Sequence, residues 1–495
     1  MTEQPTIRRS LGWAVVLNWG QRGITTVFVV VLAALLGPEA YGIVAMALVF
    51  LAVIELFLEA GFLTTIVQRE QLDKAHLDSA FWVNFVWSLV LAGVSFALAG
   101  WWADVNDVPE LADVIRVMSI LIVVTGLTII QEAYLQRTFA FRKLAIRANA
   151  AALLGGIVGV TLALWGAGVW SLVAQQITTA LVALVLLWAV SDWRPGLHFS
   201  PSHARDLFGF TSGVFLANLG GFVNRRGDAL LIGLFFTPTV VGIYRLADRF
   251  VDSILELTMR PVGLVSLPHM SALQRDRGAL RDTVATFTRI TMRTTLPALL
   301  VLAACSGYVL AVVGPEWEVG SDALKLLCIV GIVKGLVHFT GPLLFAVAKP
   351  FYRATMLWFL AAVSVVTVVA VGYALEGASP ERQLSGMSGA RALIALAVIL
   401  PLNLFIISRV AGLSPRTLAR WLPAPLAAGI SAIVVVELIT QTGALDAAPP
   451  LIALVVAGGV AVAIAGAAMF ALDPEARKLA QRLLAARRPS ATGTN

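Results

Sequence analysis

The segment Gly242–Glu256, GIYRLADRFVDSILE, carries Arg245, Asp248, Arg249, Asp252 and Glu256 within a strongly apolar stretch of chain. At about 100° per residue the five charged side chains fall within an arc of about 100° on one helix face, apart from Phe250, Val251 and Ile254. Arginine's planar fork matches phosphate oxygens, and carboxylates on the same face can pair with the arginines or attract a cation. The stretch just before, NRRGDALLIG, adds Arg225, Arg226 and Asp228. Its two adjacent arginines diverge by about 100°, so at most one points straight at a given cavity while the other can snorkel. Arg22 supplies a further cation near the start of the chain. Glu55 and Glu59 stand one helical turn apart, as do Lys334 and His338. Each set has two readings: helix–helix pairing that merely neutralises charge, or contact with a substrate or a coupling ion.

The elements that must hold these residues are membrane helices. Of the 495 residues, 59% are hydrophobic and 13% charged; mean hydropathy is +0.86. Apolar runs of about 20 residues recur along the chain, each able to cross a hydrocarbon core of about 30 Å. In lipid such runs must be helical, because every backbone polar group has to find its partner within the segment. Fourteen spans are predicted, at 11–36, 41–66, 79–102, 112–136, 144–165, 169–190, 206–235, 240–266, 282–313, 322–347, 352–375, 390–409, 421–440 and 450–472. The fold class is therefore an all-α polytopic membrane protein. The first span is too long for a secretory signal and reads as a retained helix. Cys305 and Cys328 both fall in spans and read as small core residues, with no disulfide or metal spacing.

Loop charges set the orientation. With the N-terminus in the cytoplasm, inside segments hold 22 lysines and arginines and outside loops hold one, Arg382. An even number of spans then puts both termini in the cytoplasm. The net charge of +7 follows from this topology and gives no support to nucleic-acid binding. All loops are short, the longest near 376–389, so no extramembrane catalytic domain is expected. The tail ARKLAQRLLAARR reads as a basic amphipathic helix on anionic headgroups. No Walker A, dinucleotide-binding or HExxH motif occurs, so no cofactor or metal is expected and the protein is read as a non-enzyme.

The charged segment has an apolar counterpart. At a constant offset of 200 residues, Asn18–Ile54 aligns with Asn218–Ile254 with eight identities, including Pro38/Pro238, Gly42/Gly242 and Ile43/Ile243. GIVAMALVFLAVIEL thus answers GIYRLADRFVDSILE without most of the charge. Spans 1–2 match spans 7–8, which predicts a parallel repeat of two six-helix lobes about an axis along the membrane normal. The expected layout is an N-lobe at 1–190, a C-lobe at 191–410, two added helices at 411–472 and the basic tail at 473–495.

LLGPEAYGIVAMALVFLAVIELFLEAGFLTTIVQRE, AFWVNFVW, LQRTFAFRKLA, GVWSLVAQQ and RRGDALLIGLFFTPTVVGIYRLADR together resemble the polysaccharide flippases of the multidrug/oligosaccharidyl-lipid/polysaccharide exporter superfamily, in its colanic-acid-exporter-like branch. The resemblance runs nearly to the end of span 12. It implies alternating access by two lobes and transport of undecaprenyl-diphosphate-linked oligosaccharide units across the bacterial inner membrane. By resemblance, cavity cations hold the diphosphate and sugar, with Arg22, Arg225, Arg226, Arg245 and Arg249 as candidates. Asp228, Asp248, Asp252, Glu256, Glu55, Glu59, Lys334 and His338 are left for ion coupling or charge pairing. Expected partners are the lipid-linked oligosaccharide, membrane lipids and polysaccharide polymerase or assembly proteins, with the transporter itself monomeric. Two alternatives stay open: a multidrug/cation antiporter of the same superfamily, and a membrane-embedded polymerase or ligase, which would need a larger outer loop. Thr237 stands where the branch usually has glycine, a departure confined to that turn.

Overall fold

A computed structural model describes residues 7–59, 73–138, 140–196, 230–347 and 349–474, with Ser200, Leu219, Phe222 and Arg477 as isolated positions. Among these residues every regular element is helical. Of the described helices, ten are long and apolar enough to cross a membrane, or eleven when the bent pair Arg277–Ala304 and Ser306–Val313 is taken as one span. The first of the ten, Gly23–Leu58, takes in the end of span 1 and most of span 2, which the helix Ile7–Glu59 separates by a break at Gly37. Gly37 has φ 76°, which an L side chain rarely adopts, and Pro38 then starts the second helix with its ring where no N–H is needed. Twelve of the predicted spans lie on described residues; of the second only 41–59 are described, and of the seventh only Leu219, Phe222 and 230–235.

Three boundaries differ from expectation. The helix of span 8 runs Pro238–Ala272, longer than the membrane requires, and its charges keep it out of the apolar set. Span 9 bends by 62° between Ala304 and Ser306. The loop before span 12 is shorter than its sequence indicates, because Pro380 opens a helix, Pro380–Ile394, that continues through a π-helical turn, Ala395–Ile399, into Leu400–Ala411. Proline's fixed φ suits a first helical position, and SPERQ reads as loop only when that preference is overlooked.

The chain divides into two compact units, Met1–Leu246 with Ala354–Gln383, and Ala247–Arg353 with Leu384–Asn495. In the first unit, small residues let helices approach. A Cβ on Gly155 would lie 1.9 Å from Thr179 Oγ1, and one on Gly126 would lie 2.4 Å from Ser88 Oγ. Buried hydroxyls also bond across this unit, Ser95 to Ser119 at 2.8 Å. After span 6 the chain folds back onto the same unit. Trp193 is buried near Phe81 and Tyr134, the Trp82 indole donates to the Gly196 carbonyl at 2.8 Å, and Lys143 holds Asp192 at 2.9 Å.

In the second unit, span 14 (Pro450–Leu472) buries Ala453, Ala457, Ala461 and Ala465, one every four residues. Ala461 and Ala465 pack with Ala428, Ala432 and Val436 of span 13 (Pro423–Gln441) and with Cys305. Lipid tails are as apolar as leucine, so such contacts form through close van der Waals packing and not through expulsion of water. Arg293 clamps the end of span 14 by a two-pronged contact to Asp473, at 2.5 and 2.9 Å.

Candidate functional site

The repeated turns meet. A Cβ on Gly42 would lie 1.8 Å from the Pro238 carbonyl oxygen, and a Cβ on Gly242 would lie 2.1 Å from the Pro38 carbonyl oxygen. The two contacts are reciprocal, pairing each glycine of the repeat with the proline of the other copy. This explains why the Pro-x-x-x-Gly pattern persists while the intervening residues diverge: any side chain at either glycine would collide with rigid backbone. Gly42 and Gly242 are both fully enclosed by this crossing, and Ile43, Ile243, Ala47 and Ala247 beside them are buried.

Beyond the crossing, the span 8 helix presents its charges. Arg245, Asp248, Arg249, Asp252 and Glu256 are all partly accessible, whereas Val251 and Leu255 between them are 1% and 7% exposed. Asp248 faces Arg391 of span 12 at 3.7 Å, and Asp252 faces Lys334 of span 10 at 3.6 Å. Glu256 lies 3.8 Å from Arg260 one turn along its own helix. The Arg249 carbonyl accepts a bond from Ser253 Oγ at 2.7 Å, and Thr258 and Thr295 link spans 8 and 9 at 2.8 Å. His338, one turn beyond Lys334, stands edge-on to Phe339, with its Nε2 near Gly263. A charge facing lipid at the bilayer centre costs about 2.5–3.5 kcal/mol on insertion scales, so this charged face has to meet protein or water.

The inter-helix pairs are matched in register. Asp248 lies ten residues after Pro238 and Arg391 eleven after Pro380. Asp252 lies fourteen after Pro238 and Lys334 thirteen after Ser321. At 1.5 Å per residue the first pair sits about 15 Å along its helices and the second about 20 Å. Arg391 is hidden in the sequence because the apolar run of span 12 begins near residue 390, which puts this arginine at a span end. Counting from Pro380 as a helix start would have placed it well inside.

Of the other candidates, Glu55 accepts a contact from Thr125 Oγ1 at 3.4 Å, which joins spans 2 and 4. The side chains of Arg22 and Glu59, and residues Arg225, Arg226 and Asp228, lie outside the described residues. Two polar ties were not anticipated, Glu132–Arg147 at 3.0 Å and Arg293–Asp473. Among the described residues no group of three or more His, Cys, Asp or Glu side chains is placed to hold a metal ion.

Long apolar helices, a repeated turn that crosses through its own glycines and a charged helix face beside it define a polytopic helical membrane protein. Its fold is that of a solved lipid II flippase, MurJ in an inward closed conformation, with a TM-score of 0.70 at 13% identity over 93% of this chain and 99% of that one. A multidrug resistance MATE family transporter of the MOP superfamily, inward-facing, shares the fold at a TM-score of 0.54 and 14% identity, over 83% of this chain and 97% of that one. Residues 31–321 match the family described as polysaccharide biosynthesis protein, and the chain belongs to that family. It is 30% identical over 381 residues to the succinoglycan biosynthesis transport protein ExoT of Rhizobium meliloti, covering 76% of each chain. To the lipopolysaccharide biosynthesis protein WzxC of Escherichia coli it is 25% identical, covering 66% of this chain and 67% of that one.

Proposed function

We propose that this multi-pass membrane protein is a flippase that moves undecaprenyl-diphosphate-linked oligosaccharide repeat units across the bacterial inner membrane by alternating access. The products feed exopolysaccharide, capsule or O-antigen synthesis. The observation that carries the reading is the charged face of span 8, met at matched depth by cations from two neighbouring helices. A polar surface at that depth serves a polar cargo, and the names of the relatives tie the family to glycan biosynthesis and, for ExoT, to transport. Moving such a lipid needs no covalent step. It needs a wet, charged surface for the diphosphate and sugar while the lipid tail stays among the acyl chains.

In this reading the lobes set by the repeat, 1–190 and 191–410, rock against each other, as distinct from the units of internal packing. Residues 411–472 add two helices and residues 473–495 a basic tail, with both termini in the cytoplasm. Arg22, Arg225, Arg226, Arg245 and Arg249 are the proposed cations of the cavity. A deletion strain tests the function: lipid-linked intermediates should accumulate on the cytoplasmic leaflet. Unchanged intermediates together with new drug sensitivity would instead assign the protein to drug or cation exchange.

A further inference from the structure

We propose that the π-helical turn of span 12, Ala395–Ile399, is a rotary joint that turns the half of the helix carrying Arg391 during the transport cycle. The inference rests on the flippase reading, since it gives the joint a place in alternating access.

Span 12 runs as one helix from Pro380 to Ala411, yet its two halves bury faces that an ideal α-helix would not align. In the half nearer Pro380, Leu384, Met387, Ser388, Ala392 and Ala395 are buried, and Arg391 faces Asp248 at 3.7 Å. In the other half Asn403, Ile407 and Ala411 are buried, the last two in a core with Met292, Phe339 and Leu343. Counted at about 100° per residue from Ala395, the first set spans about −80° to +60° and the second about +80° to +160°. Their centres lie about 130° apart. A π-turn bonds residue i to i+5 and so takes up one residue more than an α-turn, which turns the following helix back by about 100°. The Leu400 N–H indeed donates to the Ala395 carbonyl, five residues back. With this turn in place both faces point nearly the same way.

The neighbouring residues keep the π and α forms close in energy. Pro401 has no N–H, and in an α-helix its ring would press on the Ala397 carbonyl. A π-turn normally forfeits a backbone bond that the α-form keeps. Beside a proline the α-form has already lost one, so little separates the two. Asn403, 2% exposed, lends a side-chain donor to the Ile399 carbonyl at 2.8 Å, at the end of the turn. Conversion to the α-form, with Ile407 and Ala411 held in their core, swings the segment from Leu384 to Ile394 by about 100°. On a helix about 10–12 Å across, the Arg391 side chain then travels about 8 Å and leaves Asp248.

Deletion of Leu396, which is 47% exposed, tests the joint. It removes the extra residue and leaves a plain α-helix whose two faces stay aligned, so Arg391 still meets Asp248 but the helix can no longer turn. Spin labels on Leu393→Cys and Leu438→Cys, exposed positions on spans 12 and 13, report the rotation in full-length protein with Cys305 and Cys328 replaced by alanine. In nanodiscs the otherwise wild-type protein should show two populations separated by up to about 8 Å, redistributed by an undecaprenyl-diphosphate-linked oligosaccharide. The deletion variant should show one population, and its flipping rate in liposomes should fall at least tenfold. Pro401→Ala supplies an N–H to the Ala397 carbonyl and should enrich the turned population about fivefold, the scale of one backbone hydrogen bond.

A deletion variant that melts near wild type and flips at the wild-type rate overturns the proposal and leaves the turn as a static register device. An unchanged distance distribution in Pro401→Ala also overturns it, and that readout stands even where the deletion variant does not fold. Failure of the wild-type protein to flip the lipid counts against the flippase reading itself, whereas normal flipping with a single label distance in every condition sinks only the joint.

Discussion

Replacing Gly42 by alanine would put a methyl carbon 1.8 Å from the Pro238 carbonyl oxygen, and Gly242→Ala would put one 2.1 Å from that of Pro38. Contacts below 3.0 Å essentially never occur, so the two turns would have to separate by about 1.2 Å or more. Neither neighbour can give way as a side chain would, since both are backbone. Overpacking of this kind costs about 1–3 kcal/mol, which shifts a two-state equilibrium by about 5- to 150-fold. The strain falls only on conformations in which the repeated turns touch, so the variant should populate the state in which they part. Glu39 and Thr237 flank the crossing and are exposed, and the native Cys305 and Cys328 are buried. Spin labels on Glu39→Cys and Thr237→Cys, with both native cysteines replaced by alanine, report the separation by electron–electron double resonance. Wild type should show a dominant short distance, and Gly42→Ala a longer population enriched about 5-fold or more. Gly93→Ala is the control, because nothing lies within 4 Å of its added carbon. An unchanged distance distribution in Gly42→Ala would show that the crossing is no part of the conformational cycle.

Three further outcomes follow from other residues. Arg293→Ala leaves the buried Asp473 carboxylate without its two-pronged partner and should lower stability by about 3 kcal/mol, read by thermal unfolding in detergent; Arg293→Ala/Asp473→Asn should recover part of the loss. Arg249→Ala should insert and accumulate normally yet lose polymer export in cells, and full export would remove Arg249 from the transport surface. Trp193→Ala should free the segment after span 6, seen as faster amide hydrogen exchange across 191–196, because its ring packs near Phe81 and Tyr134. Unchanged exchange there would mean that the Lys143–Asp192 and Trp82–Gly196 contacts hold the segment without it.

Much of the fold was legible because membrane physics leaves few options. A run such as Pro450–Leu472 must be a helix, and its alanines at every fourth position already name the face that packs. The Pro-x-x-x-Gly repeat was also visible, but its meaning was not: alignment shows that Gly42 answers Gly242, and only coordinates show each lying against the other's proline. The charged face of span 8 was readable from its period. Its partners were not, since Arg391 and Lys334 lie about 140 and 80 residues further along, and nothing local in a sequence reports a contact across that separation. Span 12 misled for a specific reason: SPERQ is polar enough to read as loop, yet Pro380 starts a helix there and carries Arg391 well inside.

The central claim is that the protein moves a lipid-linked oligosaccharide between leaflets. Purified protein in liposomes, loaded with a fluorescent undecaprenyl-diphosphate-linked oligosaccharide in both leaflets, tests it directly through the fraction quenched by an impermeant reductant. Protein-containing vesicles should pass from about half quenched to nearly complete quenching, and Arg249→Ala vesicles should stay near half. Quenching that remains at about half with the folded wild-type protein, under an imposed ion gradient as well as without one, would contradict the account.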